Sequence, residues 1–582
     1  MTLPGALRSF VVTLIALCCI ASIQPAAAAD ADALKAEIDT FFHRLQLASA
    51  GRLRWDGADS IDASATGDEA FVTIVNARFS LRKEPAEPKP LAIVTLDRLQ
   101  VRKRPAPSGG DMEELTITFP ESSTFVAADG SEFDLTLKDG KATTLLEGAV
   151  ERQRGMTIAI ANGRFDVKDH AVWATFGPIA GDWKIVGNGD GSWRAPTNLE
   201  IKKLEFLISD APLAGAVDRI ALNADAGGPN LADYDAFRDR VIEVRDNFRD
   251  DPNKQQQALL ALLPKGLSVF SYSKGNLAIE RVTAKRPDGE TLVSLDKAWI
   301  GGGITGLDGD KAAWRITLGH DGLTLAPSLL SEDQVPRSAD LDVGIEDIAV
   351  STLRTLIEAA SQAGPDVPQE ERQKASQQIL AATMSLQPVF RIYDAMVNFR
   401  HVSVDASGAA KRAPPAPIGY TASGDITVRG FDALSGVLNG AFERALLPLL
   451  KFIGNPGTDA DGLSVMNFAV TSAIGRTIAV NNSNLANWFG GIRTGVPAPG
   501  APVRLLRLSD PPLTGADVRA VQKAVAAQQV EPFTDGIYDT ATALAVMRFQ
   551  KARGLNVDGT VDPKMYDALG LKPPSPPTPP KN

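Results

Sequence analysis

The sequence contains 582 residues, of which 44% are hydrophobic and 22% are charged, and its formal net charge at pH 7 is −10. This composition is typical of a soluble globular protein, and the length predicts three or four folded units. Binding that depends on phosphate neutralisation requires an excess of basic residues, so the acidic balance argues against nucleic acid as a partner.

The first 29 residues have the organisation of a secretory signal. Arg8 precedes an apolar run from Phe10 to Ile23, and small residues follow up to Asp30. This order predicts cleavage near Ala29 and export to the periplasm. The run is too short to span a bilayer comfortably, and no later run approaches the roughly 20 apolar residues of a membrane helix. We therefore predict a signal peptide at residues 1–29 and no transmembrane segment in the mature chain.

The sequence offers few ligands for a metal. Both cysteines, Cys18 and Cys19, lie inside the predicted signal. Disulfides, cysteine nucleophiles and thiolate metal sites are therefore not expected in the mature chain. A zinc site would require distant positions to meet in space, because no two of the four histidines have the spacing of a metal-binding pair. We predict no cofactor.

Residues 30–50 are predicted to form an N-terminal helix, and residues 51–228 a β-rich region. The helix is indicated by apolar residues at helical spacing, namely Leu34, Ile38, Phe41, Phe42 and Leu45. Short alternating segments separated by Asp-Gly and Asn-Gly turns indicate antiparallel strands after it. In the segment from Phe71 to Arg82, the alternation predicts that the odd-numbered residues share one face.

Two later regions, residues 229–375 and 376–493, are predicted to repeat one helix-plus-sheet unit. Each contains a glutamine-rich helical segment that ends in proline, Gln255–Pro264 and Gln377–Pro388, followed by apolar strands. The glycine-rich stretch from Gly301 to Gly306 lacks the lysine of a phosphate-binding loop and is predicted to be a bend between strands.

The end of the chain is predicted to be a separate small domain. Residues 494–504 form a Pro/Gly-rich linker, residues 505–571 a compact unit, and residues 572–582 a Pro-rich tail. Apolar stripes predict three helices in the unit, with Thr514 as N-cap of the first and Asp539 or Thr540 as N-cap of the second. The predicted fold class is thus a mainly β, antiparallel body with a small all-α, three-helix C-terminal domain.

The compact unit resembles the peptidoglycan-binding-like domain family in three spaced blocks. The matching residues are Asp517, Val518, Val521 and Gln522; then Asp535, Gly536, Tyr538, Thr542, Ala545, Val546, Phe549 and Gln550; then Gly554, Leu555, Asp558, Gly559 and Val561. Asp539 and Asp562 occupy two positions where the family usually has glycine. Aspartate can cap the following helix there, so the fold should tolerate both changes, whereas a groove that needs close backbone approach at these turns would be disturbed.

The resemblance implies that this domain binds peptidoglycan, whose sugars and short peptides present hydroxyl, amide and carboxylate groups. Arginine can pair with a peptide carboxylate, and tyrosine can stack on a sugar face. The candidate contacts are Asp535, Tyr538, Arg548, Gln550, Arg553 and Asp558. The two aspartates also have a purely structural explanation, because Asp-Gly pairs form tight turns.

The hypothesis from the sequence is a non-catalytic, exported cell-envelope protein that binds peptidoglycan, with the β-rich body as a binding or scaffold domain. The body weakly resembles β-rich periplasmic proteins of the AsmA/YdgA type, and this likeness would imply an apolar sheet surface that shelters lipid. Two alternatives stay open: a peptidoglycan hydrolase with a pair of carboxylates in the body, and a periplasmic lipid-binding or lipid-transfer protein. The partner of the body would then be a lipid or another envelope protein.

Overall fold

The computed structural model of the protein describes the residues in the following ranges: 31–36, 38, 42, 53–82, 89–107, 111–147, 152–168, 172–208, 213–247, 252–361, 368–412, 420–438, 447–448, 450–459, 464–473, 477–481, 483–484, 505–508, 512–527 and 534–572. The chain divides into two compact units, one of residues 1–329 and 348–386 and the other of residues 330–347 and 387–582. The predicted signal peptide and the 494–504 linker lie outside the described residues, as does nearly all of the Pro-rich tail.

Nineteen strands are described in the first unit, and all their pairings are antiparallel. They are β1 Leu53–Gly57, β2 Ser60–Thr66, β3 Glu69–Leu81, β4 Ala92–Pro105, β5 Met112–Thr118, β6 Ser122–Ala127, β7 Glu132–Lys138, β8 Lys141–Glu147, β9 Arg152–Ile160, β10 Asn162–Val167, β11 Val172–Phe176, β12 Ile179–Lys184, β13 Val186–Gly187, β14 Trp193–Ile208, β15 Leu213–Gly228, β16 Tyr272–Lys285, β17 Thr291–Thr305, β18 Lys311–Asp321 and β19 Thr324–Leu325.

Two rows of strands connect β4 to β14 and enclose a hydrophobic core. One row runs through β5, β8, β9 and β12, and the other through β6, β7, β10 and β11. The two long strands thus close a hydrogen-bonded ring. Buried side chains from both rows, such as Ile117 and Leu135, belong to one core, so this part of the sheet has a covered apolar face.

The N-terminal segment contributes to that core. Residues 31–36 are helical, and Leu34, Ile38 and Phe42 are buried. The ring of Phe42 stacks on Trp55 with centroids 4.4 Å apart and meets Phe79 edge-on at 5.2 Å. Phe41 and Leu45 lie outside the described residues.

The predicted alternation of β3 is correct for only half of the strand. Val72 and Ile74 are buried in the first half, whereas Ala77 and Phe79 are buried in the second. The change occurs at Asn76, whose backbone is left-handed with φ 52°. A left-handed residue inside a strand shifts the alternation by one, and asparagine adopts this conformation more readily than most residues. The prediction that all odd-numbered residues share one face was therefore wrong for residues 71–75.

Two later strands of the first unit also contain a left-handed residue. Lys203 in β14 and Arg281 in β16 are left-handed, with φ 53° and 49°. Leu199, Ile201 and Leu204 all pack against the closed core, although the last differs in parity from the first two. The local backbone shift therefore keeps the apolar residues of a long strand on one face.

The apolar face continues across β15–β18. Leu199 begins a row that passes through Leu222, Leu277, Ile300 and Leu318, each opposite the next on neighbouring strands. The exposed fractions of Leu222, Ile300 and Leu318 are 36%, 52% and 41%. A row of aliphatic side chains with this much exposure is unusual for a sheet face, because such a face is normally covered.

The opposite face of the same strands is polar. Arg219 in β15 pairs with Glu200 on one neighbouring strand at 2.6 Å and with Glu280 on the other at 3.0 Å. Gly301–Gly303 lie inside β17, so the predicted bend at this position was wrong. An added Cβ would lie 2.5 Å from the Arg315 carbonyl oxygen at Gly302 and 2.4 Å from the Ser273 carbonyl oxygen at Gly303. The glycines allow close packing within the sheet.

Four helices accompany the strands of the first unit: α1 Leu231–Asn247, α2 Pro252–Val269, α3 Val350–Ser361 and α4 Gln369–Ser385. Each packs against the next in chain order. The predicted glutamine-rich helices are parts of α2 and α4, but α2 does not end at Pro264 and continues to Val269. Among the helices that the structure describes, none is long and apolar enough to cross a membrane.

The second unit contains further antiparallel strands and the C-terminal domain. Its strands are β20 Ser338–Ala349, β21 Val389–Asn398, β22 Ser403–Arg412, β23 Tyr420–Arg429, β24 Asn455–Thr458, β25 Ser464–Ala473, β26 Thr477–Val480 and β27 Ser483–Asn484, with a short helix α5 at Leu434–Val437. Met466 and Phe468 are buried at one end of its apolar face, whereas Phe390 and Ile392 are 40% and 42% exposed. This face, too, is covered only in part.

The C-terminal domain consists of β28 Leu513–Thr514, α6 Ala516–Ala526, β29 Ile537–Tyr538, α7 Thr540–Ala552 and α8 Pro563–Ala568. The predicted fold class is confirmed: the body is mainly antiparallel β, and the C-terminal domain is a small helical unit with three helices described.

Replacing Phe42 tests the contribution of the N-terminal segment to the closed core. Phe42→Ala removes two ring contacts and leaves a cavity, so we expect the free energy of unfolding of the first unit to fall by about 3–5 kcal/mol. Urea unfolding followed by circular dichroism measures the change. Leu318→Ala removes a half-exposed side chain of the same unit and is the control, with an expected loss of about 1 kcal/mol or less. Equal effects of the two substitutions would contradict the assignment of Phe42 to the core.

Candidate functional site

The C-terminal domain is built around a compact apolar core. Val518, Val521 and Val525 of α6 are completely buried, as expected from their helical spacing, and they pack with Val546 and Phe549 of α7. Leu506 forms an antiparallel bridge with Val561, which joins the entering chain to the segment before α8. This core fixes the loops on which the candidate residues lie.

A buried glutamine organises the first Asp-Gly turn. Gln522 Nε2 donates to Asp535 Oδ1 at 2.9 Å and to the Ile537 carbonyl oxygen at 3.0 Å. Its Oε1 accepts from the Gly536 amide at 2.8 Å. Gly536 has φ 81°, a conformation that favours glycine. The middle of α6 is thereby connected to the turn that precedes α7.

Gln550 at the end of α7 repeats this arrangement at the second turn. Its Nε2 donates to Asp558 Oδ1 at 2.9 Å and to the Thr560 carbonyl oxygen at 3.0 Å, and its Oε1 accepts from the amides of Asp558 and Gly559. We call the two sets, Gln522 with Asp535–Ile537 and Gln550 with Asp558–Thr560, the first and second glutamine clamps. The two most regular features of the family pattern, Gln and Asp-Gly, therefore act as pairs.

The two aspartates that replace the family's glycines are helix caps. The Asp539 carboxylate accepts from the Thr542 amide at the start of α7, and the Asp562 carboxylate accepts from the Met565 amide in α8. Both residues have φ −93°, an extended conformation that any residue adopts. The capping role suggested by the sequence is confirmed for Asp539 and Asp562. Thr514 is not the N-cap of α6, because Gly515 occupies that position.

Tyr538 is completely buried. Its hydroxyl donates to the Gly559 carbonyl oxygen at 2.7 Å and so connects the two clamps. Burial raises the pKa of the phenol well above its usual value, and the negative charge of Asp558 acts in the same direction. A ring without exposed surface cannot stack on a sugar, so the fold gives Tyr538 a structural role.

The other candidates are divided between interior and surface. Gln550 and Asp558 are 3% and 9% exposed, and both are engaged in the second clamp. Asp535, Arg548 and Arg553 are exposed, but Arg553 follows the C-terminus of α7, whereas Asp535 precedes its N-terminus. Because an α-helix rises 1.5 Å per residue, the length of α7 alone separates them by about 20 Å. The candidates therefore do not form one cluster.

Arg519 is a surface residue near the first turn that the sequence interpretation missed. It is exposed, and its Nη2 donates to the Asp535 carbonyl oxygen at 3.0 Å. The charge of Arg519 also helps to lower the pKa of the Asp535 carboxyl, although the hydrogen bond from Gln522 is the largest cause of that shift. Arg519 lies between the matched residues Val518 and Val521, and no pattern marks this position.

Comparison with known families agrees with this architecture. The family model described as "Putative peptidoglycan binding domain" matches residues 514–569. Residues 514–569 form a peptidoglycan-binding-like domain. No curated protein and no solved structure gave a match to the chain. The peptidoglycan-binding-like domain is consistent with a location in the cell envelope.

The buried phenol predicts an alkaline limit to the stability of the peptidoglycan-binding-like domain. Because the folded-state pKa of Tyr538 is raised, its contribution is complete below the unfolded pKa of about 10 and is lost as the pH rises further. We expect Tyr538→Phe to cost about 0.5–1.5 kcal/mol at neutral pH, through the lost hydrogen bond, and to weaken this alkaline decline. Thermal unfolding from neutral pH to about pH 11 measures both effects. Tyr420→Phe alters an exposed phenol and is the control; an unchanged alkaline decline in Tyr538→Phe would contradict the prediction.

Proposed function

We propose that the protein is an exported, periplasmic cell-envelope protein that binds peptidoglycan through residues 514–569 and does not cleave it. The observation that supports this proposal is the family match to a domain in which both glutamine clamps are intact. The clamps hold the two Asp-Gly turns of the domain in place. The apolar run before Asp30 supports export. The β-rich body then acts as the part of the protein that the domain holds at the wall.

A sedimentation experiment tests this proposal. The protein from Asp30 to the C-terminus and a version that ends at Gly500 are each incubated with insoluble peptidoglycan sacculi. We expect the complete protein to sediment with the sacculi and the shortened version to remain soluble, because only the former contains the domain. Equal sedimentation of the two versions would move wall binding to the body and contradict the proposal.

Release of soluble muropeptides in the same tubes tests the hydrolase alternative. Burial is the main cause that raises the pKa of the Asp340 carboxyl, and the charges of Asp394 and Asp342 add to it. Asp342 and Asp394 lie opposite each other on the adjacent strands β20 and β21, so they belong to one sheet surface. A glycosidase instead places its two carboxylates on either side of the scissile bond. We expect no muropeptide release above the buffer control.

A second function, lipid binding by the body, is favoured by the open apolar face of β14–β18. Apart from the Leu199 to Leu318 row, this face contains the aliphatic row of Ile201, Ile220 and Ile279. Trp314 on β18 is 38% exposed and lies opposite Ile304. Acyl chains suit this surface because it offers aliphatic contacts in adjacent rows, while the ion-paired side chains of Arg219, Glu200 and Glu280 lie on the opposite face.

Paired charge substitutions test lipid binding. Ile300→Glu places a carboxylate in the most exposed position of the apolar row, and Thr317→Glu places one on the opposite face of the adjoining strand. We expect Ile300→Glu to reduce the uptake of a fluorescent fatty acid about tenfold and Thr317→Glu to leave it unchanged, because burial of an unpaired charge against hydrocarbon is costly. Fluorescence titration measures the uptake. Equal uptake by both variants would contradict lipid binding at this face.

A further inference from the structure

The two glutamine clamps of the C-terminal domain are nearly equivalent in their hydrogen bonds but differ in exposure. In the first clamp, Asp535 is exposed and Ile537 is 39% exposed. In the second, Asp558 and Thr560 are only 9% and 7% exposed. A ligand as large as the cell wall can therefore reach the first turn but not the second.

The side of the domain next to the second turn packs against the sheet of its own unit. Met547 of α7 is completely buried and belongs to the same apolar cluster as Met466 and Phe468 of β25. Leu544 and Val557 join this cluster, and Lys551 Nζ lies 5.6 Å from the centre of the Phe452 ring. An added Cβ at Gly559 would lie 3.3 Å from Met547 Cγ. The second turn is thus adjacent to an intramolecular contact, which explains why it is buried.

The first turn presents a fixed cationic group. Arg519 Nη2 is held by the Asp535 carbonyl oxygen, and an added Cβ at Gly536 would lie 3.3 Å from the same Nη2. Gly536 therefore leaves room for the guanidinium beside the turn. This hydrogen bond uses one of the five N–H groups of arginine, and the others are suited to a carboxylate.

An anionic and an apolar group lie beside this cation. The Asp535 carboxylate is fixed by hydrogen bonds from Gln522 and from the Ile537 amide, and its pKa is lowered mainly by the first of them. Asp535 is therefore ionised at neutral pH while still exposed. The surface of Arg519, Asp535 and Ile537 thus combines both charges with one aliphatic side chain, and we call it the first-turn surface.

The first-turn surface is better suited to a peptide than to a sugar chain. Sugar faces are commonly bound by exposed aromatic rings. Among the described aromatic residues of the C-terminal domain, Tyr538, Phe549 and Tyr566 are all at least 97% buried, with exposed fractions of 0%, 3% and 1%. A free amino-carboxylate centre of a wall peptide, in contrast, carries an ammonium group for Asp535 and a carboxylate for Arg519.

We propose that the first-turn surface contacts the peptide stems of peptidoglycan and recognises a free amino-carboxylate centre through Arg519 and Asp535. This inference rests on the proposed function, since it specifies which part of the wall the domain recognises. Arg519 is the specificity-determining residue, and Ile537 packs against the aliphatic part of the stem.

Substitution of Arg519 in the complete protein tests the inference. Sedimentation with intact sacculi is measured for the wild type, Arg519→Ala, Arg519→Lys and the control Lys564→Ala, which removes one exposed positive charge from α8. We expect Arg519→Ala to weaken binding about tenfold or more, because a charge-assisted bidentate contact is lost. Arg519→Lys should restore it only in part, since lysine lacks the planar fork, and Lys564→Ala should bind like the wild type.

A second measurement separates peptide from sugar recognition. Binding of the wild type is measured to glycan strands from which an amidase has removed the peptides, and to free stem peptides by isothermal titration calorimetry. We expect binding to the free peptides and none to the stripped glycan. Arg519→Gln, which retains a hydrogen-bond donor for the Asp535 carbonyl oxygen, replaces Arg519→Ala if the latter is misfolded by circular dichroism.

The outcomes distinguish this inference from the proposed function. If the wild type binds sacculi and Arg519→Ala or Arg519→Gln binds equally well, the inference is wrong but wall binding stands. Equal binding of the wild type to stripped glycan would also overturn it. If the wild type does not bind sacculi at all, the proposed function itself fails.

Discussion

The body of this protein depends on one constraint, which is that a long strand must keep its apolar side chains on a single face of the sheet. With strict alternation, the apolar residues of a strand would share one face only if all of them had odd numbers or all had even numbers. Asn76, Lys203 and Arg281 instead change the parity inside β3, β14 and β16 by adopting a left-handed backbone. The closed core between β4 and β14 and the open face of β14–β18 both require that the apolar side chains stay on one face along the whole strand. Each such residue costs conformational energy, which the surrounding ladder of hydrogen bonds must offset.

The C-terminal domain solves a different problem, because it is too small to fix its loops by apolar burial alone. Gln522 and Gln550 each satisfy several backbone and side-chain groups of an Asp-Gly turn, and the Tyr538 hydroxyl connects the second turn to β29. Buried polar groups are costly unless they are paired, so each clamp forms or is lost as a unit. This cooperativity accounts for the spacing of the family pattern in physical terms: the glutamine, aspartate and glycine of each clamp support one another, and the aromatic residue joins the two.

Much of the domain and of the fold class could be predicted from the sequence, because local patterns carry that information. Helical spacing identified Val518, Val521 and Val525 as core residues, and the capping preference of aspartate identified Asp539. The closure of two strand rows between β4 and β14 depends on long-range pairing. The alternation of residues within a single strand does not indicate which other strand it pairs with. The burial of Tyr538 and Gln550 was missed for a related reason, since polar atoms suggest contact with a ligand until their internal partners are known. Arg519 shows the converse case, because its position becomes meaningful only when the turn of Asp535 is placed beside it.

The antiparallel bridge between Leu506 and Val561 has a mechanical consequence. The Leu506 amide donates to the Val561 carbonyl oxygen at 3.3 Å, and the Val561 amide donates to the Leu506 carbonyl oxygen at 2.8 Å. Tension carried by the chain that enters the domain arrives at its N-terminal end, where this bridge is the first pairing among the described residues of the domain. The segment under tension is therefore hydrogen-bonded to Val561, the residue before the N-cap of α8. A load must break both hydrogen bonds before it can unfold α6. A domain with this entry geometry resists extension at its attachment point while its exposed turn stays undistorted.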